Sequence, residues 1–256
     1  MSAPVPVPNP IPAGMTAKQL AETVSRVAQA SQRAARPTPA RLVAVSKTKP
    51  VAQLMECYAA GHRMFGENYV QEIVEKAPLM PSDIQWRFIG HVQSNKARQL
   101  VAGVPNLTAV ETVDSVKLAN KLDAAVAECA AARMKAFGLS TNPPLQVMVQ
   151  VNTSGEQSKF GVDPGDALAL AKHIHETCGS LTFQGLMTIG MPDYTSKPEN
   201  FTVLKKCRDD VSNGLGTDAS KIELSMGMSG DFEQAIEMGS DNVRVGSSIF
   251  GARDYT

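Results

Sequence analysis

Apolar and polar positions along this chain follow two alternating periods. Short apolar runs rich in β-branched residues are each followed by a longer amphipathic stretch. The runs "LVAVSK" (42–47), "MFGEN" (64–68), "WRFIGH" (86–91), "LTAVETV" (107–113), "LQVMVQVN" (145–152), "FQGLMTIG" (183–190), "IELSMGMS" (222–229) and "NVRVGSSIFG" (242–251) predict strands. Between them, 51–60, 69–77, 95–102, 114–137, 164–178, 197–213 and 231–238 predict helices. One more helix precedes the first strand, from Lys18 to Arg33 with Thr16 as N-cap, and Leu20, Val24 and Val27 share one of its faces. Mostly apolar strands alternating with helices are parallel strands covered on both faces. About eight such units in 256 residues predict an α/β chain folded as a single (β/α)8 TIM barrel. An open doubly wound sheet is the alternative. The first strand is followed by no Gly-rich dinucleotide loop, which weakens it.

Composition narrows the partners. Lys+Arg and Asp+Glu both number 25, so neither nucleic acid nor an anionic membrane surface is expected as the main partner. No apolar run approaches the roughly 20 residues of a membrane helix. The start, "MSAPVPVPNPIPAG", lacks both the apolar core of a secretory signal and the arginines of a transit peptide. Residues 1–14 read as a disordered proline-rich leader, residues 15–256 as the barrel domain, and the location as cytoplasmic. Cys57, Cys129, Cys178 and Cys207 are far apart, each in a predicted helix. They read as free thiols in a reducing compartment, with no zinc-ligand spacing.

In a barrel, chemistry sits at the C-terminal ends of strands. The residues there are Lys47, Asn68, His91, Thr112, Asn152, Met187, Ser225 to Ser229 and Arg244 to Ser248. A lysine beside apolar strand residues either snorkels to solvent or, with its pKa lowered, attacks an aldehyde to give a Schiff base. Lys49 nearby would lower that pKa further. In "SMGMSGDFEQ", Ser229 and Gly230 precede a predicted helix, which makes either an anion site or a plain capped turn. "GSS" after the last strand offers amides and hydroxyls, and phosphate in barrels often sits at the last two loops. Arg244 inside a strand must meet either an acid or a ligand heteroatom. Aldehyde, phosphate and ring nitrogen together describe pyridoxal 5′-phosphate (PLP).

The stretches "VAVSKTKP", "FGENYVQE", "WRFIGHVQSNK", "VNTSGEQSKFGV", "GLMTIG" and "LSMGMSGDFEQAIEMGSDNVRVGSSIFGARDY" closely resemble the pyridoxal phosphate homeostasis protein family. They span Leu42 to Tyr255. The resemblance implies a monomeric or weakly associating barrel like the N-terminal domain of alanine racemase. It implies that Lys47 carries PLP as a Schiff base, that Ser229, Gly230, Gly246 and Ser247 bind phosphate, and that Arg244 approaches the pyridine nitrogen. Asn68, His91, Asn152 and Met187 would line the pocket, and Lys159 would lie near it.

Cofactor binding does not make an enzyme. Strong PLP catalysis draws on a protonated pyridine nitrogen, and an arginine donates only hydrogen bonds. Racemases of this barrel type take a second base from a further C-terminal domain and a partner subunit. Here the sequence reaches Thr256 soon after the eighth strand, so an open, wet pocket mouth is expected. The expected role is a carrier or regulator of PLP supply, with apo PLP enzymes as transient clients. A weak amino-acid racemase is the alternative. A barrel that clamps another phosphorylated ligand with Lys47 is a third reading.

Overall fold

The computed structural model describes residues 14–156, 160–189 and 198–252. The expected leader lies outside them except for Gly14, as do Lys159 and Gly190. Eight strands run β1 Arg41–Val45, β2 Met64–Glu67, β3 Gln85–Phe88, β4 Leu107–Val113, β5 Leu145–Gln150, β6 Leu181–Met187, β7 Glu223–Ser225 and β8 Asn242–Val245. They close into a barrel in chain order, and every neighbouring pair is parallel. The α-helices among the described residues are α1 Met15–Arg33, α2 Val51–Ala59, α3 Val70–Lys76, α4 Ala97–Gly103, α5 Val116–Glu128, α6 Ala130–Phe137, α7 Ala167–Thr177, α8 Pro198–Leu215, α9 Phe232–Glu237 and α10 Ser247–Phe250.

Several boundaries differ from the sequence expectation. Gly14 rather than Thr16 is the N-cap of α1, and Thr16 is buried within the helix. The helix expected over 114–137 is broken at Cys129, which ends α5 and begins α6. Ser115 caps α5 by accepting the Leu118 amide. The last two strands are much shorter than their apolar runs. Gly227 turns the chain at φ 95, and a Cβ there would lie 2.5 Å from that of Ala235. "SSIF" is a short helix instead of strand.

Alternation along the strands separates two interiors. Leu42, Ala44, Phe65, Trp86, Phe88, Val110, Val243 and Val245 pack outward against the helices in one continuous apolar layer. The inward set follows the register: Val45 pairs Gly66, Gly66 pairs Arg87, Arg87 pairs Ala109, and Val43 pairs Arg244. Glu111 and Asn242 fall two residues from Ala109 and Arg244, so they face inward too. The inside of the barrel therefore holds a polar cluster beside small and apolar residues such as Val43 and Ala109. Arg87, Glu111, Ser225, Asn242 and Arg244 are all buried there. A barrel plugged this way specifies its own filling, because each buried charge must find its counterpart.

Candidate functional site

One cavity of 360 Å³ opens at the C-terminal ends of the strands. Lys47, Asn68, Ser229, Arg244, Gly246 and Ser247 line it together, so residues separated by up to two hundred positions converge on one space. Ile89, Ile189, Met228 and Phe250 supply apolar wall, and Lys49 is also present. His91, Asn152, Met187 and Gly230 are not on this wall. His91 turns away to pair with Asp114 at 3.3 Å and to stack on Phe160, ring centroids 3.7 Å apart. Burial pushes the Asp114 carboxyl up, opposed by His91. Asn152 folds its own loop, donating to the Glu156 carbonyl and accepting from Ser154. Met187 is fully buried at the end of β6, and Gly230 is exposed in the turn beyond Ser229.

Lys47 does not end the strand itself. It lies in a turn closed by the Lys49 amide and the Ser46 carbonyl at 3.1 Å, with Thr48 at φ 61. Lys49 does not point its ammonium toward a shared site with Lys47; it donates to the Ala252 carbonyl at 2.6 Å. Asn68 is brought to the wall because Gly90 lets its backbone pass. A Cβ on Gly90 would lie 1.9 Å from the Asn68 carbonyl oxygen. The Asn68 Oδ1 atom is buried and has no hydrogen-bond partner among the described residues.

The last two loops are joined. The Gly246 amide donates to the Ser229 hydroxyl at 3.2 Å. Asp231 accepts the Met228 amide at 2.6 Å, and burial pushes its carboxyl up against the pull of that amide and of Arg244. Arg244 sits at the cavity floor. Its Nη1 donates to Ser225 at 2.6 Å and its Nη2 to the Thr188 carbonyl at 2.7 Å. Ser225 donates in turn to Glu111, which also accepts from Arg87 and Asn242. Burial alone would raise the Glu111 carboxyl, but Arg87, Arg244 and Ser225 hold it below the usual carboxylate range. Burial also pushes the Arg244 guanidinium below its ordinary value, with Glu111 and Asp231 opposing. Arg244 thus reaches an acid indirectly, through Ser225, and also lines the open cavity.

A second buried cluster lies behind the Lys47 turn. Glu67 accepts from Ser46 at 2.6 Å and from Lys76 at 2.8 Å. Lys76 also reaches Glu72 at 2.7 Å. Burial raises the Glu67 carboxyl, with Lys76 and Ser46 pulling the other way. Sequence reasoning singled out none of Arg87, Glu111, Glu67, Glu72 or Lys76. The available signal was opposite charge in the middle of neighbouring apolar runs, "WRFIG" and "AVETV".

The alanine racemase N-terminal domain family matches residues 19–254. The pyridoxal phosphate homeostasis protein of Bos taurus is 50% identical over 243 residues, covering 90% of this chain and 85% of that protein. The structure of PipY from Synechococcus elongatus with PLP bound is similar at TM-score 0.66 and 30% identity, covering 92% of this chain and 100% of that one. An alanine racemase from Bartonella henselae shares the fold at TM-score 0.64 and 16% identity, and the match covers 93% of this chain but 59% of that one.

Proposed function

The chain belongs to the pyridoxal phosphate homeostasis protein family, and from that premise we propose that Lys47 holds PLP covalently, for supply rather than turnover. The observation that carries this reading is the convergence of Lys47, Asn68, Ser229, Arg244 and Gly246 on one cavity. The residues fit the cofactor. Apolar Ile89, Ile189 and Met228 suit a planar ring, and the orphaned Asn68 Oδ1 awaits a donor. When bound, PLP supplies an aldehyde that condenses with an amine, losing one water. Lys47 supplies that amine and must present Nζ neutral. The Ser229 hydroxyl and the amides of Gly246 and Ser247 suit a phosphate.

Arg244 supports the carrier reading. It is held by two hydrogen bonds and keeps its protons, so it presents donors to a ring nitrogen and yields no proton to it. That gives a weak electron sink. Among the described residues, the titratable side chains on the wall are Lys47, Lys49 and Arg244, and Lys49 is engaged by Ala252. Apo-enzymes that need the cofactor are the proposed clients, in the cytoplasm. Among the described residues, no helix is long and apolar enough to cross a membrane.

The test is the visible spectrum before and after borohydride, followed by peptide mapping. Bleaching with a pyridoxyl group left on Lys47 is expected. Attachment at another lysine, or none after reconstitution, would overturn the reading. Exchange of amino-acid α-protons well above that of free PLP would instead make the protein a racemase-like enzyme.

A further inference from the structure

Two described residues other than glycine have positive φ, Ala35 and Thr48. Thr48 is the unusual one. A β-branched residue crowds its own backbone in the left-handed region, and such outliers persist only where surrounding structure enforces them. Thr48 directly follows Lys47 and is itself exposed, so no core packing of its side chain enforces the conformation.

The enforcement comes from behind. The Thr48 amide donates to Glu72 Oε2 at 2.8 Å. On the other side of Lys47, the Ser46 carbonyl accepts from Lys76 Nζ at 2.9 Å, and the Ser46 hydroxyl donates to Glu67 at 2.6 Å. Lys76 spends all three of its donors, on Ser46, Glu67 and Glu72. Its ammonium is the node of the cluster, and only 8% of the residue is exposed. Both neighbours of Lys47 are thus anchored to α3 and the end of β2, while Lys47 stands on the cavity wall.

We propose that Glu72 and Lys76 are positioning residues, which hold the Thr48 peptide in the left-handed conformation and thereby aim Lys47 into the cavity. The inference rests on the reading that Lys47 is the site of PLP attachment. Neither residue touches the cofactor. Their effect is on how often Lys47 Nζ is where an aldehyde can meet it.

The experiment measures the rate of borohydride-trappable attachment of PLP at Lys47, together with hydrogen exchange of the turn amides in the apo-protein. Glu72→Ala is expected to slow attachment by about 10- to 100-fold, the usual penalty for a misplaced reacting group. It should also deprotect the Thr48 amide. Glu72→Gln keeps an acceptor and is expected to stay within about threefold of wild type, no more than the worth of one weak hydrogen bond. Adding Thr48→Gly to Glu72→Ala should recover much of the rate, because glycine adopts the left-handed region unaided. A role confined to stability predicts no such recovery. If Glu72→Ala does not fold, Thr48→Pro serves. It removes the donor and imposes negative φ at an exposed position, and it too should slow attachment. Wild-type rates in Glu72→Ala or Thr48→Pro would overturn the proposal while leaving Lys47 in its role. Failure of wild-type protein to attach PLP at Lys47 would overturn the proposed function, and the aim of this clamp with it.

Discussion

Glu67 stands behind the Lys47 turn and Glu111 beneath Arg244. Both are fully buried and both touch a cation, yet burial prevails at Glu67 and charge prevails at Glu111. The difference lies in how cations are shared. At Glu67, one lysine serves two carboxylates. At Glu111, two arginines gather around one carboxylate. The first cluster lies behind the cavity wall and fixes backbone. The second reaches the cavity through Arg244, which shares the wall with Lys47 and Lys49, and a wall lined by cations favours an anionic ligand. One side of the site is built for mechanical hold, the other for electrostatics.

Substitutions can break that comparison. The largest effect is expected from Lys47→Ala, which should abolish covalent attachment and leave only phosphate-held PLP, read by borohydride trapping beside equilibrium dialysis. Undiminished trapping would mean that another lysine serves. Next is Glu111→Ala, which strands two buried guanidiniums and should cost about 3–5 kcal/mol in chemical denaturation. Glu67→Gln should change stability by less than about 1 kcal/mol, because the charge it removes is poorly compensated. Equal losses in the two would erase the distinction between the clusters.

The pH dependence sharpens it. The Glu111 carboxyl is held below its unfolded value, so its contribution is fully present above that value, about 4.3, and is lost as pH falls through the lower folded one. Glu67 is raised, so the fold favours its protonated form, and stability is lost as pH rises through the raised value. Glu67→Gln should flatten the stability profile on the neutral side of about 4.3, and Glu111→Gln on the acid side. The smallest effect is expected from Ser229→Ala, which should weaken PLP binding by less than about threefold, the worth of one weak hydrogen bond.

The barrel was legible because β-branched runs and amphipathic stretches have different periods, and eight repeats leave few other folds. Lys47 and Ser229 were legible as polar residues at the ends of apolar runs, and Arg244 as a charge inside one. The partners were not. That Arg87 faces Glu111 follows only from the β3–β4 register, and Lys76 in "VEKAP" looks like any solvated charge at a helix end. His91 looked like a wall residue because its strand ends at the right height. The direction of its side chain is set by Asp114, twenty-three positions on, and by a stacking partner in the loop after β5. The left-handed Thr48 leaves no mark in composition at all, since threonine is among the residues least suited to it.

The hydrogen bond from Gly246 to Ser229 has a further consequence. One donor suited to a phosphate, the Gly246 amide, is already spent on Ser229, which accepts it and keeps its own hydroxyl proton to give. An incoming anion exchanges that internal contact for its own, and a departing one lets it re-form. If Gly246 receives a phosphate as proposed, Ser229 competes with the ligand for that one amide, which would lower affinity and ease the exit. A storage site that must also surrender its contents is helped by a latch of this kind, which closes behind whatever leaves.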